Sequence, residues 1–528
     1  MRKVTATLVA LLISMSAFAQ DFEVRRGDCM PDLAVGTETA AARAARPSRL
    51  PAIHKQWDST RVYRQLVILV SFSDVDFQEA NSKETYEKLF NEKGYNQRMG
   101  KGCVADYFRD QSNGLLNLQF DVYGPYKVDG KAQPYANPNE NTRNYGRTNL
   151  RQAAEQFLAE NPGLDFSPYD WYNTGAVTQV IYVYAGTPGN SSATTYGCIW
   201  PNTSTFTSLP THDGKVISSY SCSGEHWPTT LKASCGIGTI CHEFTHCLGL
   251  PDLYPTVKNA GDIVIDEWDL MDGGNFTNYG WCPPCYTPLE KMLLGWAEPV
   301  ELTEPASIKD LKPSADGGAF YRIKHSDSEW LLLENRQQKG WDAGAPGKGL
   351  VIYHVNYDGS VWSGNTVNND PAKRRYDLVH ADNRDYDAWD DWLDRQGKTS
   401  NYQNGTMMNN WHLSQSPYPW TDESSLAVND QLTDTSVPAA TMHYPNGEGS
   451  LVFGKPITNI TMSEDGLISF DFMGGKEEVT AVEGILEQQA AAGRQQSYDL
   501  AGRKLQGRSR ASLYVVREAN GKVRKVVR

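Results

Sequence analysis

The sequence predicts an α+β fold: a mixed, twisted sheet carrying helices, followed by a β-rich C-terminal region. Three observations lead there. Apolar runs of strand length, RQLVILVSF at 64–72 and VTQVIYVYA at 177–185, alternate with stretches of helical spacing. The stretch 237–247 has helix length and contains His-Glu-Phe-Thr-His, so one helix stands at the centre of the expected architecture. Beyond Trp296 helical spacing gives way to short strand-like segments.

Taken from the N-terminus, Arg2 and Lys3, an apolar run from Leu8 to Ile13 and the closing Ala17-Phe18-Ala19 have the layout of a secretory signal peptide, residues 1–19. Residues 20–60 are polar, with an Ala/Arg-rich stretch that offers basic cleavage points, and read as a propeptide or leader. The run 64–72 is a buried strand, too short to cross a membrane. Helices follow at 82–90 and 104–112, the second stopping at Asn113-Gly114. LLNLQFDVY at 115–123 alternates as a strand does, and Pro125-Tyr126 should close it. Residues 149–160 return to helical spacing. The strand at 177–185 leads into a Gly/Ser/Thr/Asn loop, and 216–221 is a third strand ahead of the central helix. A turn-rich segment around Met271 and a short helix at 288–296 come next. Strands are expected at 318–323, 330–334 and 349–355, then a strand-turn-strand unit over 455–472. Residues 474–497 read as a linker and 498–528 as a small β-module.

The central helix carries the chemistry. His242 and His246 lie one turn apart on one face, about 6 Å along the axis, close enough for two imidazoles to share an ion. Glu243 falls beside that ion rather than on it. Gly249 follows where a residue free to take positive φ can end the helix and reverse the chain, which would bring Asp252 back toward the same point. Zinc accepts imidazole nitrogen and carboxylate oxygen, and a catalytic site uses three protein ligands with one position left for water. His242, His246 and Asp252 make three. With ten histidines in 528 residues, a chance H-E-x-x-H is expected in roughly one such chain per hundred. Met271, between Trp and Leu, reads on its own as a core residue.

A formal net charge of −13 lacks the basic field that a nucleic acid partner requires. No later segment approaches 18 consecutive apolar residues, so no transmembrane anchor is expected. In an exported protein the nine cysteines would normally pair, the odd number leaving at least one over, and Cys222, Cys235, Cys241, Cys247, Cys282 and Cys285 should brace the region of the central helix, with connectivity open. The acidic stretch 382–395 has the oxygen content that suits Ca2+ but not EF-hand spacing, and an acidic loop is the plainer reading. His354 and His380 read as satisfied structural histidines rather than ligands.

The elements LVILVSFSD, VADYFRDQSNG, IYVYAGT, IWP, HEFTHCLGLPDLY, EWDLMDGG and PLEKMLLGW occur in this order over roughly residues 60–385. Together they resemble the immune inhibitor A family of secreted bacterial zinc metallopeptidases, which is similar to the metzincins with their H-E-x-x-H-x-x-G-x-x-H/D motif and methionine turn. The resemblance implies that His242, His246 and Asp252 hold Zn2+, that Glu243 is the acid/base and that Met271 forms the floor. It implies a metzincin-like catalytic domain over 61–300, a β-rich region at 301–473 packed on or completing it, and hydrolysis of protein or peptide substrates. A substrate strand would lie along an open sheet edge, with residues 181–186 or the following loop as candidates. The chain departs from the pattern at Gly273, where metzincins that use a tyrosine place it; Tyr279 and Tyr286 are candidate replacements. Arg25 to Asp32, RRGDCMPD, partly resembles the cysteine switch of matrix metalloproteases, which would make Cys29 a latency ligand; a disulfide or an Asp28 ligand are the alternatives. The tail resembles the sorting domain of type IX-secreted bacterial proteins, implying bacterial secretion machinery as a partner, with a generic β-module as the alternative. The reading from another class is an exported adhesion or glycan- or protein-binding protein whose peptidase fold is inert.

Overall fold

The computed structural model describes residues 57–97, 100–134, 144–191, 193–195, 197–228, 233–257, 264–385, 410–422, 424–475, 478–480, 496–498, 513–517 and 523–527. The signal peptide, most of the leader with Cys29, and most of the acidic stretch 382–395 lie outside them.

The first sheet is built on β1 (Val62–Ser71), flanked in parallel by β2 (Asn117–Lys127) and β3 (Val180–Tyr184). Next come β4 (Asn202–Pro210) and β5 (Val216–Gly224); β5 pairs parallel with β3, and β4 closes the far edge antiparallel to β5. The order is β2-β1-β3-β5-β4. The apolar runs in β1 and β3 are continuous because both faces are covered. Leu66, Ile68, Val180 and Tyr182 point to a core shared with Ala153 and Phe157 of one helix, while Val67, Leu69, Ile181 and Val183 point to the opposite core.

Five helices accompany this sheet: α1 (Ser82–Asn91), α2 (Val104–Gln111), α3 (Arg147–Glu160), α4 (Gly238–Leu248) and α5 (Pro288–Leu293). α3 covers one face; α1, α2, α4 and α5 contribute to the other core. That second core runs on into another sheet. It contains β6 (Val300–Glu301), β8 (Tyr321–Lys324), β9 (Glu329–Arg336), β10 (Gly349–Asn356) and β11 (Tyr376–Leu378) in the order β11-β10-β9-β8-β6, with β7 (Ala306–Leu311) lying in a separate four-stranded sheet. Leu332, Val351 and Tyr353 join the core of α4; Leu331, Leu333, Leu350 and Ile352 turn the other way, onto the sheet that holds β7, Ile457–Met462 and Ile468–Phe472. The two sheets thus enclose the central helix between them.

Several expectations need correction. Strand β2 does not close at Pro125 but runs through it. The pairing with β1 slips between Ile68/Tyr123 and Val70/Tyr126, so Gly124 and Pro125 bulge opposite Leu69, and an edge strand tolerates the missing proline N–H. Residues 181–184 are not a sheet edge, because β3 lies between β1 and β5. The edges are β2 and β4, and the NTSTFTSLP sequence of β4 is too polar to announce a strand. Within the expected linker, Glu478–Thr480 pairs parallel with β7. The tail does form an antiparallel sheet of Gln496–Tyr498, Leu513–Arg517 and Val523–Val527. The expected disulfides are not formed among the described residues: all eight described cysteines, Cys103 and Cys198 included, are buried without an S–S bond. Burial pushes the Cys103 and Cys285 thiols up to about 12, so neither is thiolate at neutral pH.

Phe244 anchors α4, meeting Phe108, Phe120 and Trp171 edge-on at centroid distances of 5.2, 6.3 and 6.0 Å. Phe244→Ala should cost about 3–5 kcal/mol in guanidinium denaturation, because the surrounding rings cannot close the cavity. A loss below about 1 kcal/mol would show that this core does not hold the helix.

Candidate metal centre and active site

Every residue of α4 is buried. Its first turn begins at Gly238, where a Cβ would stand 2.0 Å from the Asn275 carbonyl oxygen, so only glycine lets the two backbones approach. One turn apart, the His242 and His246 rings sit 5.0 Å centroid to centroid and 89° from coplanar. Gly249 ends the helix at φ +110°, its N–H bonded to the His246 carbonyl at 3.0 Å. The reversed chain carries Asp252 back over the histidines, and its Oδ1 lies 3.2 Å from both Nε2 atoms. The structure therefore brings His242, His246 and Asp252 to one point.

The surroundings decide what that point can hold. The Nδ1 atom of His242 is 2.7 Å from the Leu270 carbonyl, and that of His246 is 2.8 Å from the Leu250 carbonyl. A carbonyl only accepts, so each Nδ1 carries a proton and Nε2 of each ring faces Asp252, as a lone pair where a cation lies between them or, on His242, as an N–H donated to Asp252 Oδ1 at 3.2 Å. His246 Nε2 is buried without a hydrogen-bond partner, despite its 3.2 Å approach to the carboxylate, because the two groups do not line up as donor and acceptor. Two nitrogen lone pairs and a carboxylate need a cation among them. Tetrahedral ligand bonds of about 2.0–2.1 Å set ligand atoms roughly 3.3 Å apart, close to the separations seen here, so the residues fit a zinc-class ion. Where no cation sits, a proton supplies the positive charge. Burial opposes a charged His242, yet the Asp252 carboxylate and the Glu243 charge lift its pKa to about 9. Burial alone would raise Asp252, but the two imidazoles hold it far below the usual carboxylate range.

Three residues that sequence reasoning missed fix this arrangement. Asn365, between β10 and β11, donates its Nδ2–H to Asp252 Oδ2 at 2.8 Å and accepts the Asp252 N–H at 2.7 Å. Asn368 donates to the Leu253 carbonyl at 2.7 Å, and Asn369 accepts the Thr256 N–H at 2.7 Å. No local signal marks them, because their partners are more than a hundred residues away. Thr203 on β4 is the other omission. Its hydroxyl lies 2.6 Å from the Glu243 carbonyl and 3.1 Å from Glu243 Oε2, so the edge strand steadies the carboxylate beside the two histidines.

Met271 is fully buried, and its carbonyl accepts the Leu253 N–H at 2.9 Å. With Leu270 holding His242, this turn braces both the helix and the chain leading from Asp252. Asp269 Oδ1 accepts the Met271 N–H at 2.6 Å; Thr287 bridges Asp269 to Glu290, its hydroxyl reaching Asp269 Oδ2 at 3.1 Å and its N–H Glu290 Oε2 at 2.8 Å. Tyr286 does not replace the missing metzincin tyrosine. Its ring is fully buried between Tyr107 and Trp296, with its hydroxyl on Thr245, in the core. Tyr279 offers its carbonyl to Trp227 Nε1 at 3.1 Å. His354 Nε2 lies 2.8 Å from Glu329 Oε1, and His380 Nδ1 2.8 Å from the Ser416 hydroxyl. Nothing among the described residues supports Ca2+ at 382–385.

Buried His242, His246 and Asp252 thus form a group of donors that could hold a metal ion. Residues 209–284 match the catalytic domain of the immune inhibitor A peptidase M6 family, and the chain resembles the immune inhibitor A peptidases. Immune inhibitor A of Bacillus thuringiensis subsp. alesti is 23% identical over 490 residues, 80% of this chain and 68% of its own length. The pre-pro-metalloprotease PrtV of Vibrio cholerae serotype O1 (strain M66-2) is 21% identical over 263 residues, 45% of this chain and 28% of its own. These similarities support a peptidase that uses a metal and acts on proteins or peptides. Among the described residues no helix is long and apolar enough to cross a membrane.

Asn365→Leu should weaken zinc binding about 10- to 100-fold in competition with a chelating dye, since an unheld carboxylate pays for its own ordering. Unchanged affinity would remove Asn365 from the site. Burial, and then the Asp269 charge, push Glu290 well up, so the folded protein keeps a proton that the unfolded chain releases above about pH 4. The sign follows: this pair's contribution is full below about pH 4 and shrinks as pH rises. Glu290→Gln should therefore flatten the decline in unfolding free energy as pH rises above about 4, and an unchanged slope would reject a proton held on Glu290.

Proposed function

We propose that the chain is a zinc-dependent endopeptidase, metzincin-like in its methionine floor, in which His242, His246 and Asp252 hold the ion and Glu243 moves the proton. The observation that carries this reading is the convergence of two Nε2 atoms on one buried carboxylate, each ring pinned through Nδ1 to a backbone carbonyl. Zinc held there would supply a Lewis acid that brings the pKa of water toward 7 and polarises the scissile carbonyl. Glu243, next in sequence to His242, takes the proton of the attacking water and returns it to the leaving amine. Thr203 keeps that carboxylate in one rotamer through Oε2. One of the two edges of the first sheet is β4, which also carries Thr203, so an extended substrate pairing along β4 would bring its scissile bond to Glu243.

The same reading takes residues 1–19 as an export signal, 61–300 as the catalytic domain with 301–473 packed on it, and Cys29 as a latency ligand from the leader. The terminal sheet is its candidate contact with secretion machinery. Glu243→Gln should lower kcat for casein cleavage by about 10²- to 10⁴-fold while the protein keeps its zinc. Casein cleavage that survives this change in metal-loaded protein would sink the assignment.

A further inference from the structure

We propose that Glu329, His354 and His443 form a second site for a zinc-class divalent cation, one that ties three chain segments together and takes no part in the hydrolysis. Glu329 opens β9 and His354 lies near the end of β10, diagonal neighbours on the sheet face turned away from α4, with Leu331 and Ile352. His443 comes from the segment that covers this face. One carboxylate oxygen and one nitrogen from each ring lie within 4.8 Å of one another.

Three details separate this cluster from an ordinary ion pair. The two rings stand 4.7 Å apart at 86°, almost the disposition of His242 and His246, and a carboxylate faces both pairs. The carboxylate is already held as metal-ligating carboxylates are, by outer hydrogen bonds: Glu329 Oε1 accepts the His443 N–H at 2.6 Å and Oε2 the Tyr444 N–H at 3.0 Å. His443 Nδ1 is buried and has no hydrogen-bond partner, a costly state for a ring nitrogen unless a cation takes its lone pair. In the cation-free protein His354 Nε2 donates to Glu329 Oε1 at 2.8 Å, so neutral His354 would have to give up that hydrogen bond and turn a lone pair to the ion. Two imidazoles and one carboxylate are the donor set of zinc, cobalt or nickel and not of calcium. The ligands span 25 residues from Glu329 to His354 and 114 from Glu329 to His443, so an ion here would close long loops, and β10 leads directly to the segment that carries Asn365.

The test uses the full chain, stripped with a chelator and titrated with zinc alone, with bound metal counted by mass spectrometry and Tm read in parallel. Wild type should bind two zinc ions, His443→Ala one, and the His242→Ala/His246→Ala double variant one. Cobalt added to that double variant should give a visible absorption band that is lost when His443→Ala or His354→Gln is added, with folding checked by circular dichroism. The proposal is overturned if the double variant binds no metal, or if folded His443→Ala binds as much as wild type. One zinc in wild type that persists in the double variant and vanishes in His443→Ala would support this site and refute the catalytic one.

Discussion

A carboxylate buried against two imidazoles, each anchored through its far nitrogen to a backbone carbonyl, is the constraint around which this structure is arranged. Asp252 is fully buried, and the two rings facing it are fixed in place because the Leu270 and Leu250 carbonyls hold their opposite nitrogens. Such a group is unstable in a low dielectric unless positive charge completes it. Each element nearby serves that condition. The helix spaces the rings, Gly249 turns the chain, the Met271 turn braces the entry and Asn365 grips the carboxylate from outside.

The site is a product of two sheets rather than one. The first supplies the floor under α4 and, through β4, the threonine on Glu243. The second shares a continuous apolar core with α4 through Leu332, Val351 and Tyr353, and the chain between its last two strands carries the asparagines that hold the 252–256 segment. Ligand position therefore depends on packing far from the motif. Weak identity to immune inhibitor A over most of the chain is compatible with this, since such packing constrains volume and polarity more than residue names.

The cysteines show the same preference for packing over cross-linking. Cys222, Cys235 and Cys241 lie fully buried in apolar surroundings, and burial pushes each thiol well above its ordinary value. They behave as small hydrophobic side chains.

What the sequence determined by itself is local. The four-residue spacing of the histidines, the glycine stop, the strand runs of β1 and β3 and the strand-turn-strand near 457–472 all follow from periodicity and backbone preference, which act between neighbours within a turn or two. The tertiary structure decided which strands are the edges, that β2 bulges through Pro125, that Tyr286 belongs to the core, and that Thr203 and Asn365 reach Glu243 and Asp252. Those contacts span 40 and 113 residues, and no local preference of a threonine or an asparagine specifies a partner so distant; sheet order and shared burial do.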